Sequence, residues 1–381
     1  MNGRTGRRPL SKFGYDPVMP LPPDDTHAIL GSGRQLSVGQ DRSRLGWVDA
    51  ARGIGIVLVV FGHVWRGLWN AGILGDETLY GQIDAGIYLF HMPLFFLVSG
   101  LFFEKSVRRD GAFGSILKRC ETLLYPLLLW SWITACFLLL AGSLASRVPI
   151  TLTEAILYPF PPKDIFWFLW ALFVIQAVCA LLVRSSTSAF TALYLLSFAV
   201  AALVPMLAGA DLLHGAAANL PIFLTGVLLT RLDLFRFKPS LPIGIAGALA
   251  FAASLYAAVV FGLQPGVLGT ACSLVATLGF CAAIYGFAPT VPRRPMAWVS
   301  YLGTISMAIY VMHVIPGAAT RIVMARLGVE SVGLHLLAGT ALGVFLPVLA
   351  YLILKRLGLL RLFGLGRDAG KQVPALSAGQ G

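Results

Sequence analysis

The stretch that decides the fold reads Trp47-Val-Asp-Ala-Ala-Arg-Gly-Ile-Gly-Ile-Val-Leu-Val-Val-Phe-Gly-His63. Its apolar character suits a membrane-spanning helix, which needs about 20 mostly apolar residues. It also carries Arg52 and His63, and ionisable groups inside a span are costly and usually functional. In a helix these two residues share one face, with a rise of roughly 16 Å between them. Asp49 lies one turn before Arg52, where it can offset the arginine's charge.

The composition extends this conclusion to the whole chain. The 381 residues are 57% hydrophobic and only 12% charged, whereas soluble domains carry about 25% charged residues. This excludes an ordinary soluble globule and a disordered protein. We predict an all-α fold, a polytopic transmembrane helical bundle of about ten spans. The predicted spans are 47–66, 83–103, 120–141, 165–183, 190–209, 216–231, 242–262, 268–288, 298–320 and 334–355.

The polar ends and the distribution of charge predict the topology. Residues 1–46 and 358–381 are polar, and we predict a disordered basic cytoplasmic tail at 1–46, a transmembrane domain at 47–357 and a cytoplasmic tail at 358–381. The net charge of +12 would suggest nucleic acid on a soluble protein. With ten spans, however, 23 Lys and Arg fall on one side and five on the other. The positive-inside rule then places both termini in the cytoplasm. The partners are therefore membrane lipids, with no nucleic acid.

Two further spans carry polar residues at the spacing i, i+4 and i+7, which is one face of a helix. They are Asp84, Tyr88 and His91 in the second span, and Ser306, Tyr310 and His313 in the ninth. Hydrogen bonding between helices explains each stripe about equally well, and Arg52 alone could simply snorkel to the interface. Three spans that each bring a histidine inward instead predict a hydrated cavity lined by His63, His91 and His313.

The residue types indicate the chemistry of this cavity. A neutral histidine can act as a general base near pH 7, and an arginine suits phosphate by its bidentate geometry. Together they predict a cytoplasmic, phosphate-bearing ligand whose reactive end reaches His63. An acyl-coenzyme A is such a ligand. No His/Cys spacing suits zinc, and we predict no metal site.

Several stretches resemble a known family. The stretch Trp47–His63, with an Arg, ten residues and then a His, is similar to the first-helix signature of the integral-membrane acyltransferase family three. The stretch Phe90-His-Met-Pro-Leu-Phe-Phe-Leu-Val-Ser-Gly100 is similar to its second-helix signature. The stretch 118–126 is similar to the family's basic third-helix entry, and the stretches 166–173 and 302–313 are also similar to the family. Within the family, the sequence most resembles the fucose 4-O-acetylase-like sugar O-acetyltransferases.

The resemblance implies an enzyme that moves an acyl group, usually acetyl, from cytoplasmic acyl-coenzyme A to a hydroxyl of an envelope or exported glycan, or of a lipid-linked sugar. Acetyl-coenzyme A would be a co-substrate, with no permanently bound cofactor. The enzyme would lie in the bacterial cytoplasmic (inner) membrane. His63 and Arg52 carry over as the essential pair, with His63 as base or acyl carrier.

The remaining candidates support this pair. Arg52, with Lys118 and Arg119, would hold the coenzyme. Because roughly 16 Å separates Arg52 from His63, Arg52 is too far away to stabilise the oxyanion on the carbonyl that reacts at His63. Other residues are therefore expected to donate to that oxyanion. The candidates are His91, Tyr88, Tyr310 and His313.

Two other function classes remain open. A secondary transporter or flippase for a sugar or anionic substrate also uses intramembrane Arg and His. The charged motifs crowd into the first three spans and are not mirrored in the second half, which disfavours this alternative. A membrane scaffold without catalysis would need Arg52 and His63 only for stability.

Overall fold

The computed structural model describes residues 26–144, 149–182, 187–207, 209, 211–233, 238–263 and 266–366. Within these ranges, side chains are described from Gly46 onward, except at positions 187 and 205. The helices in the first half are α1 (Thr26–Asn70), α2 (Glu77–Tyr88), α3 (His91–Asp110), α4 (Ala112–Arg119), α5 (Tyr125–Ala141), α6 (Leu152–Ile156) and α7 (Trp167–Leu182). Those in the second half are α8 (Thr187–Leu203), α9 (Asp211–Arg231), α10 (Leu241–Val260), α11 (Val267–Phe287), α12 (Arg293–Thr304), α13 (Ser306–Met312), α14 (Val314–Arg326) and α15 (Val332–Arg356). The described residues include no β-strand.

The predicted polytopic helical bundle is confirmed, with a difference in the number of spans. By length and composition, eight described helical segments are able to cross a membrane, and a bent pair raises the number to nine. They are Gly46–Asn70, Glu77–Asp110, Ala112–Leu144, Asp164–Leu182, Asp211–Arg231, Leu241–Val260, Val267–Phe287 and Val332–Arg356. The predicted span 190–209 corresponds to the apolar helix Ser188–Leu203, which is shorter than the others.

The predicted ninth span, 298–320, is broken rather than continuous. Helices α12 and α13 meet at an angle of 60° around Ile305. A second junction lies at His313, between α13 and α14. Pro316 contributes to this junction, because it lacks the N–H that would bond the carbonyl of Met312 in a continuous helix. The polar stripe of this span therefore lies on a short buried helix and its end.

The two tails stay predictions, and the structure describes only parts of them. Helix α1 begins at Thr26, within the predicted first tail. Residues 1–25 and 367–381 lie outside the described residues. Residues 358–366 pack on α5: the Tyr125 hydroxyl donates to the Leu362 carbonyl at 2.6 Å, and Trp130 Nε1 donates to the Phe363 carbonyl at 3.0 Å.

The spans that carry the candidate residues lie inside the bundle. The apolar windows of Gly46–Asn70 and Glu77–Asp110 are 61% and 67% buried, against 22% for Val332–Arg356. Helix α3 packs along α9, and α10 packs along α11. A polar group on the first two spans is therefore enclosed by protein, which is where intramembrane ionisable groups are tolerated.

The packing of α3 on α9 depends on two glycines that face each other. A Cβ on Gly226 would lie 2.1 Å from the Leu97 carbonyl oxygen, and one on Gly100 would lie 2.1 Å from the Phe223 carbonyl oxygen. Both neighbours are backbone atoms, so they have little freedom to move. Small residues at such crossings are typical of helix pairs in membranes.

We therefore expect Gly226→Ala to lower the free energy of unfolding by about 1–3 kcal/mol, the range for overpacking a tight interface. The thermal midpoint of the protein in detergent measures this loss. Gly81→Ala is the matched control, because nothing lies within 4 Å of its added Cβ and alanine favours a helix. An unchanged midpoint for Gly226→Ala would contradict the close packing of α3 on α9.

Candidate active site

Close contact between two backbones positions Arg52. A Cβ on Gly53 would lie 1.9 Å from the Val299 carbonyl oxygen, and one on Gly303 would lie 1.8 Å from the Asp49 carbonyl oxygen. Glycine at both positions lets α1 and α12 touch. Arg52 Nη2 consequently donates to Ser306 Oγ at 2.9 Å, and Arg52 Nη1 lies 3.6 Å from Asp49 Oδ1. The predicted residues Asp49, Arg52 and Ser306 are therefore brought together.

Arg52 lines a cavity of about 220 Å³, here called the Arg52 cavity. Its other lining residues are Phe95, Val98, Ser99, Phe102, Leu123, Phe168, Leu169, Leu172, Ser306, Met307 and Tyr310. This volume is below the range of about 300–1,000 Å³ typical of whole small-molecule sites. The cavity is therefore sized for one apolar end of a larger molecule, with a cation at one wall.

Lys118 and Arg119 do not line this cavity. Arg119 is buried, and its guanidinium donates to the Gln176 side chain, to Ser115 Oγ and, at 2.9 Å, to the Ser115 carbonyl. Lys118 lies 3.4 Å from Asp110 Oδ2. The structure thus assigns both side chains contacts within the protein, whereas the sequence analysis groups them with Arg52.

Three histidines share one tautomer. Nδ1 of His63 lies 2.8 Å from the Val59 carbonyl, Nδ1 of His91 lies 2.6 Å from the Ile87 carbonyl, and Nδ1 of His313 lies 2.7 Å from the Tyr310 carbonyl. A carbonyl only accepts, so Nδ1 carries the proton in each ring. In the neutral form Nε2 therefore has a lone pair and acts as an acceptor or a base. The Nε2 atoms of His91 and His313 are buried without a partner among the described residues.

Tyr88 is held tightly beside His63. Arg66 Cζ lies 3.2 Å from the centre of the Tyr88 ring, and the His91 ring meets it edge-on at 4.4 Å between centroids. The His63 ring lies 6.2 Å from Tyr88 and 4.9 Å from His313, centroid to centroid. The Tyr88 hydroxyl is buried and has no partner among the described residues. It is therefore a preorganised donor next to a histidine with an Nε2 lone pair.

Arg66 holds Tyr88 through a bidentate pair with Asp84. Its Nε and Nη2 donate to the two carboxylate oxygens at 2.6 and 2.8 Å. Such bidentate pairs fix geometry as well as adding energy. The predicted stripe Asp84, Tyr88 and His91 thus forms one unit around the guanidinium of Arg66.

We expect Asp84→Asn to lower the free energy of unfolding by about 1–2 kcal/mol. Hydrogen bonds to charged groups contribute about 1.5–3 kcal/mol, and the 39% exposure of the Arg66 side chain reduces this by screening. In a double-mutant cycle with Arg66→Gln, the double variant should lose less than the sum of the single losses. The exposed Asp211→Asn serves as the control with an unchanged thermal midpoint. Additive losses would show that the pair is not coupled.

His63 and His313 line a second and larger cavity of about 650 Å³, here called the His63 cavity. Its volume falls within the range of small-molecule sites. Its other lining residues are Val64, Arg66, Gly67, Asn70, Tyr88, Leu138, Ile150, Tyr158, Lys163, Asp164, Ile165, Trp167, Val314, Gly317, Ala318 and Arg321. It meets a groove of about 950 Å³, here called the adjoining groove, through Gly67, Asn70 and Arg321, which line both.

A wall separates the Arg52 cavity from the His63 cavity. No described residue lines both of them. Tyr310 lines the Arg52 cavity, and its hydroxyl donates to the backbone carbonyl of Ile165, which lines the His63 cavity. In the lining of the His63 cavity, the Tyr158 hydroxyl donates to Asp164. Burial raises the pKa of that hydroxyl, so it stays protonated. The predicted shared face of Arg52 and His63 therefore reaches two separate spaces.

Comparison with known proteins assigns the chain to a family. A family model described as an acyltransferase domain matches residues 45–352, which is most of the chain. The chain belongs to this acyltransferase family. This confirms the membership that the motifs at Trp47–His63 and Phe90–Gly100 predict.

Two curated relatives are similar to a shorter part of the chain. Nodulation protein NolL of Mesorhizobium japonicum is 32% identical over 128 residues, which cover 33% of this chain and 32% of the relative. Nodulation protein NolL of Sinorhizobium fredii is 31% identical over 125 residues, which cover 32% of this chain and 32% of the relative. The chain thus spans about a third of the length of these relatives. No solved structure matches it.

Within this acyltransferase, sequence reasoning missed several residues of the His63 cavity. Arg66 is absent from the sequence-based candidates, although it binds Asp84 and covers Tyr88. Lys163 and Asp164 end the Pro-rich stretch 158–164, and both line the cavity. The predicted cavity histidines are also divided: His63 and His313 line it, whereas His91 is buried behind Tyr88.

Proposed function

We propose that this acyltransferase moves an acyl group, acetyl in the simplest case, from acyl-coenzyme A in the Arg52 cavity to a hydroxyl of a glycan in the His63 cavity. The observation that carries the proposal is His63 itself. Its Nδ1 is bonded to its own helix, so Nε2 is the nitrogen left for the acceptor in a cavity of about 650 Å³. On the predicted topology, that cavity faces away from the cytoplasm.

The Arg52 cavity suits the donor. A volume of about 220 Å³ accommodates the acyl end and part of the pantetheine arm, while the phosphates stay near the cytoplasmic face. The guanidinium of Arg52 is fixed by Ser306 and offset by Asp49. An oriented arginine is well matched to phosphate or to a polar part of the arm. The proposal assigns no donor contact to Lys118 or Arg119, whose contacts lie within the protein.

The His63 cavity suits the chemical step. His63 Nε2 takes the proton of the acceptor hydroxyl while the oxygen of that hydroxyl attacks the thioester carbonyl. The C–S bond then breaks, and the proton passes from His63 to the leaving thiolate. The Tyr88 hydroxyl donates to the oxyanion that forms on the carbonyl. Among the four donors that the sequence analysis considers, Tyr88 fits best, because His91 and His313 use their N–H on backbone carbonyls and Tyr310 uses its hydroxyl on Ile165.

The acyl group has two routes past the wall at Tyr310. In direct transfer, the thioester reaches the acceptor when the Tyr310 hydroxyl leaves the Ile165 carbonyl. In covalent transfer, His63 Nε2 attacks the thioester carbonyl, the C–S bond breaks, and the thiolate leaves while His63 carries the acyl group as an acyl-imidazolium. The acceptor hydroxyl then attacks that carbonyl, the C–N bond breaks to restore neutral His63, and the hydroxyl proton passes to the thiolate. Both routes use the same lone pair of His63.

The test is thiol release from acetyl-coenzyme A by the purified protein in detergent, with and without an extract of envelope glycans. We expect release that rises with the extract, together with labelled acetyl in the glycan fraction. The folded state of the protein is checked by its thermal midpoint. The proposal fails if the folded protein releases no thiol from acyl-coenzyme A of any acyl chain length. Uptake of sugars into vesicles then tests the transporter or flippase alternative.

A further inference from the structure

The Pro-rich stretch 158–164 ends in a carboxylate that is accessible from the His63 cavity. Asp164 lines this cavity together with His63, and its side chain is exposed rather than buried in the bundle. It lies within 149–182, a segment that the structure describes without a gap. The proposed chemical step uses His63 and Tyr88 and leaves Asp164 without a role. An accessible acid in the proposed acceptor cavity is therefore available to bind the acceptor.

The protein orients the Asp164 carboxylate through one of its two oxygens. The Tyr158 hydroxyl donates to Oδ2, and Tyr158 is only 2% exposed, so packing fixes this donor. Asp164 also has a φ of +47°, a left-handed conformation in which Asn and Asp are enriched among residues other than glycine. In the described part of the chain, no group donates a hydrogen bond to Oδ1. The carboxylate is thus held in place with one oxygen left for a ligand.

The neighbouring Lys163 indicates what kind of ligand this oxygen binds. Lys163 lines the same cavity, and its Nζ lies 5.9 Å from the centre of the Tyr158 ring. Among the described residues, neither Lys163 nor Asp164 forms an ion pair. The lining therefore offers a donor and an acceptor together. Lys163 would repel a cationic ligand, whereas a sugar hydroxyl both donates and accepts and so matches the two side chains.

We propose that Asp164 and Lys163 bind a second hydroxyl of the acceptor sugar, different from the hydroxyl that receives the acyl group. The second hydroxyl donates to Asp164 Oδ1 and accepts from Lys163 Nζ, while the first meets His63 Nε2. This inference rests on the proposed function, because both hydroxyls belong to the same acceptor. Two fixed points on one sugar restrict which hydroxyl reaches His63. Asp164 is therefore a specificity-determining residue that selects the position of the sugar that is acylated.

The first experiment measures binding of the acceptor without the donor. The protein is placed in nanodiscs of phosphatidylcholine, and binding of oligosaccharides released from the envelope glycan extract is measured by saturation-transfer NMR. We expect Asp164→Asn to weaken this binding about tenfold, because hydrogen bonds to a charged acceptor are roughly twice as strong as neutral ones. Asparagine is the informative substitution, since it also tolerates the positive φ of this position.

Two further variants complete this experiment, and the thermal midpoint of each shows whether it is folded. Tyr158→Phe removes only the hydrogen bond that orients the carboxylate and should weaken binding a few-fold; it decides the matter if Asp164→Asn does not fold. Glu330→Gln is the matched control, because Glu330 is an exposed acid on the same predicted side and lines neither cavity. Its binding should equal that of the wild type. Equal binding by the wild type, Asp164→Asn and Tyr158→Phe, including no binding by any of them, would overturn the inference.

The second experiment measures which position of the sugar is acylated, a property that mere support of the fold would not change. Acetyl-coenzyme A is added to the same oligosaccharides, and the acetylated positions are assigned by two-dimensional NMR. We expect the wild type to modify one position and Asp164→Asn to give a mixture. The KM for acetyl-coenzyme A should not change, since Asp164 does not line the Arg52 cavity. A single, unchanged position in Asp164→Asn would overturn the inference.

The two experiments also separate this inference from the proposed function. Binding of oligosaccharides that depends on Asp164, without any thiol release, would remove the proposed transferase and leave the sugar site. Thiol release that rises with the oligosaccharides, but with binding and acetylated positions independent of Asp164, would leave the transferase and remove the role of Asp164.

Discussion

We expect replacement of His63 by asparagine to lower the rate of acyl transfer by about 10²- to 10⁴-fold, the range attributed to a positioned general base. Asparagine is the informative substitution, because its side-chain amide can still donate to the Val59 carbonyl that Nδ1 of His63 now contacts at 2.8 Å. The hydrogen bond to the Val59 carbonyl is thus preserved, and only the Nε2 lone pair is removed. The expected loss lies in kcat, with little change in the KM for acetyl-coenzyme A.

The control is His214→Asn, which changes a histidine that lines neither the Arg52 cavity nor the His63 cavity. It should keep the wild-type rate. Acid quenching of the wild-type enzyme with donor alone, followed by mass spectrometry, shows whether an acyl group accumulates on His63. A His63→Asn protein that transfers at the wild-type rate would exclude His63 from both routes.

Sequence periodicity predicts a shared face for Arg52 and His63, but not how that face is divided. A helical repeat fixes the angle and the rise of two residues on one helix. It contains no information about a partner helix that crosses between them. Here Tyr310 and the Ile165 carbonyl come from distant parts of the chain and close the space between the two residues. The expected continuous cavity is therefore two cavities.

The break in the predicted ninth span has a similar cause. Apolar composition over 298–320 predicts a single crossing, because hydropathy averages over the window and does not register a 60° bend. Pro316 is the local sequence feature that indicates a break in this span, because proline removes a hydrogen bond of the helix. The break gives Ser306, Tyr310 and His313 three different neighbours, namely Arg52, the Ile165 carbonyl and His63. No regular helix face would predict this division.

Arg66 illustrates what local reasoning leaves out. Its partner Asp84 lies on another helix, and its cover of Tyr88 depends on the same packing. A Cβ on Gly62 would lie 3.4 Å from the Tyr88 ring, so a small residue on α1 lets α2 come close. The sequence did indicate a role for Arg66. This residue lies on the side predicted to be poor in Lys and Arg, where the positive-inside rule does not require a cation.

Replacement of Arg52 by alanine should raise the KM for acetyl-coenzyme A by about 10- to 100-fold, because charge-assisted hydrogen bonds contribute about 1.5–3 kcal/mol and each 1.4 kcal/mol is tenfold in affinity. The change in kcat should be smaller, since Arg52 lies in a different cavity from His63. Arg52→Lys keeps a point charge and should recover part of the loss. Ser306→Ala removes only the 2.9 Å bond that orients Arg52 and should raise KM a few-fold.

The donor itself provides the decisive control for Arg52. Acetyl-pantetheine carries the thioester and the arm without the coenzyme phosphates. If Arg52 binds those phosphates, Arg52→Ala and the wild type should have similar kinetic constants with acetyl-pantetheine and differ only with acetyl-coenzyme A. An equal loss with both donors would instead assign Arg52 to the arm or to the packing of α1 on α12. A donor-binding contact stabilises the ground state and the transition state equally. Its removal therefore raises KM and leaves kcat unchanged, so a loss confined to kcat would contradict donor binding by Arg52.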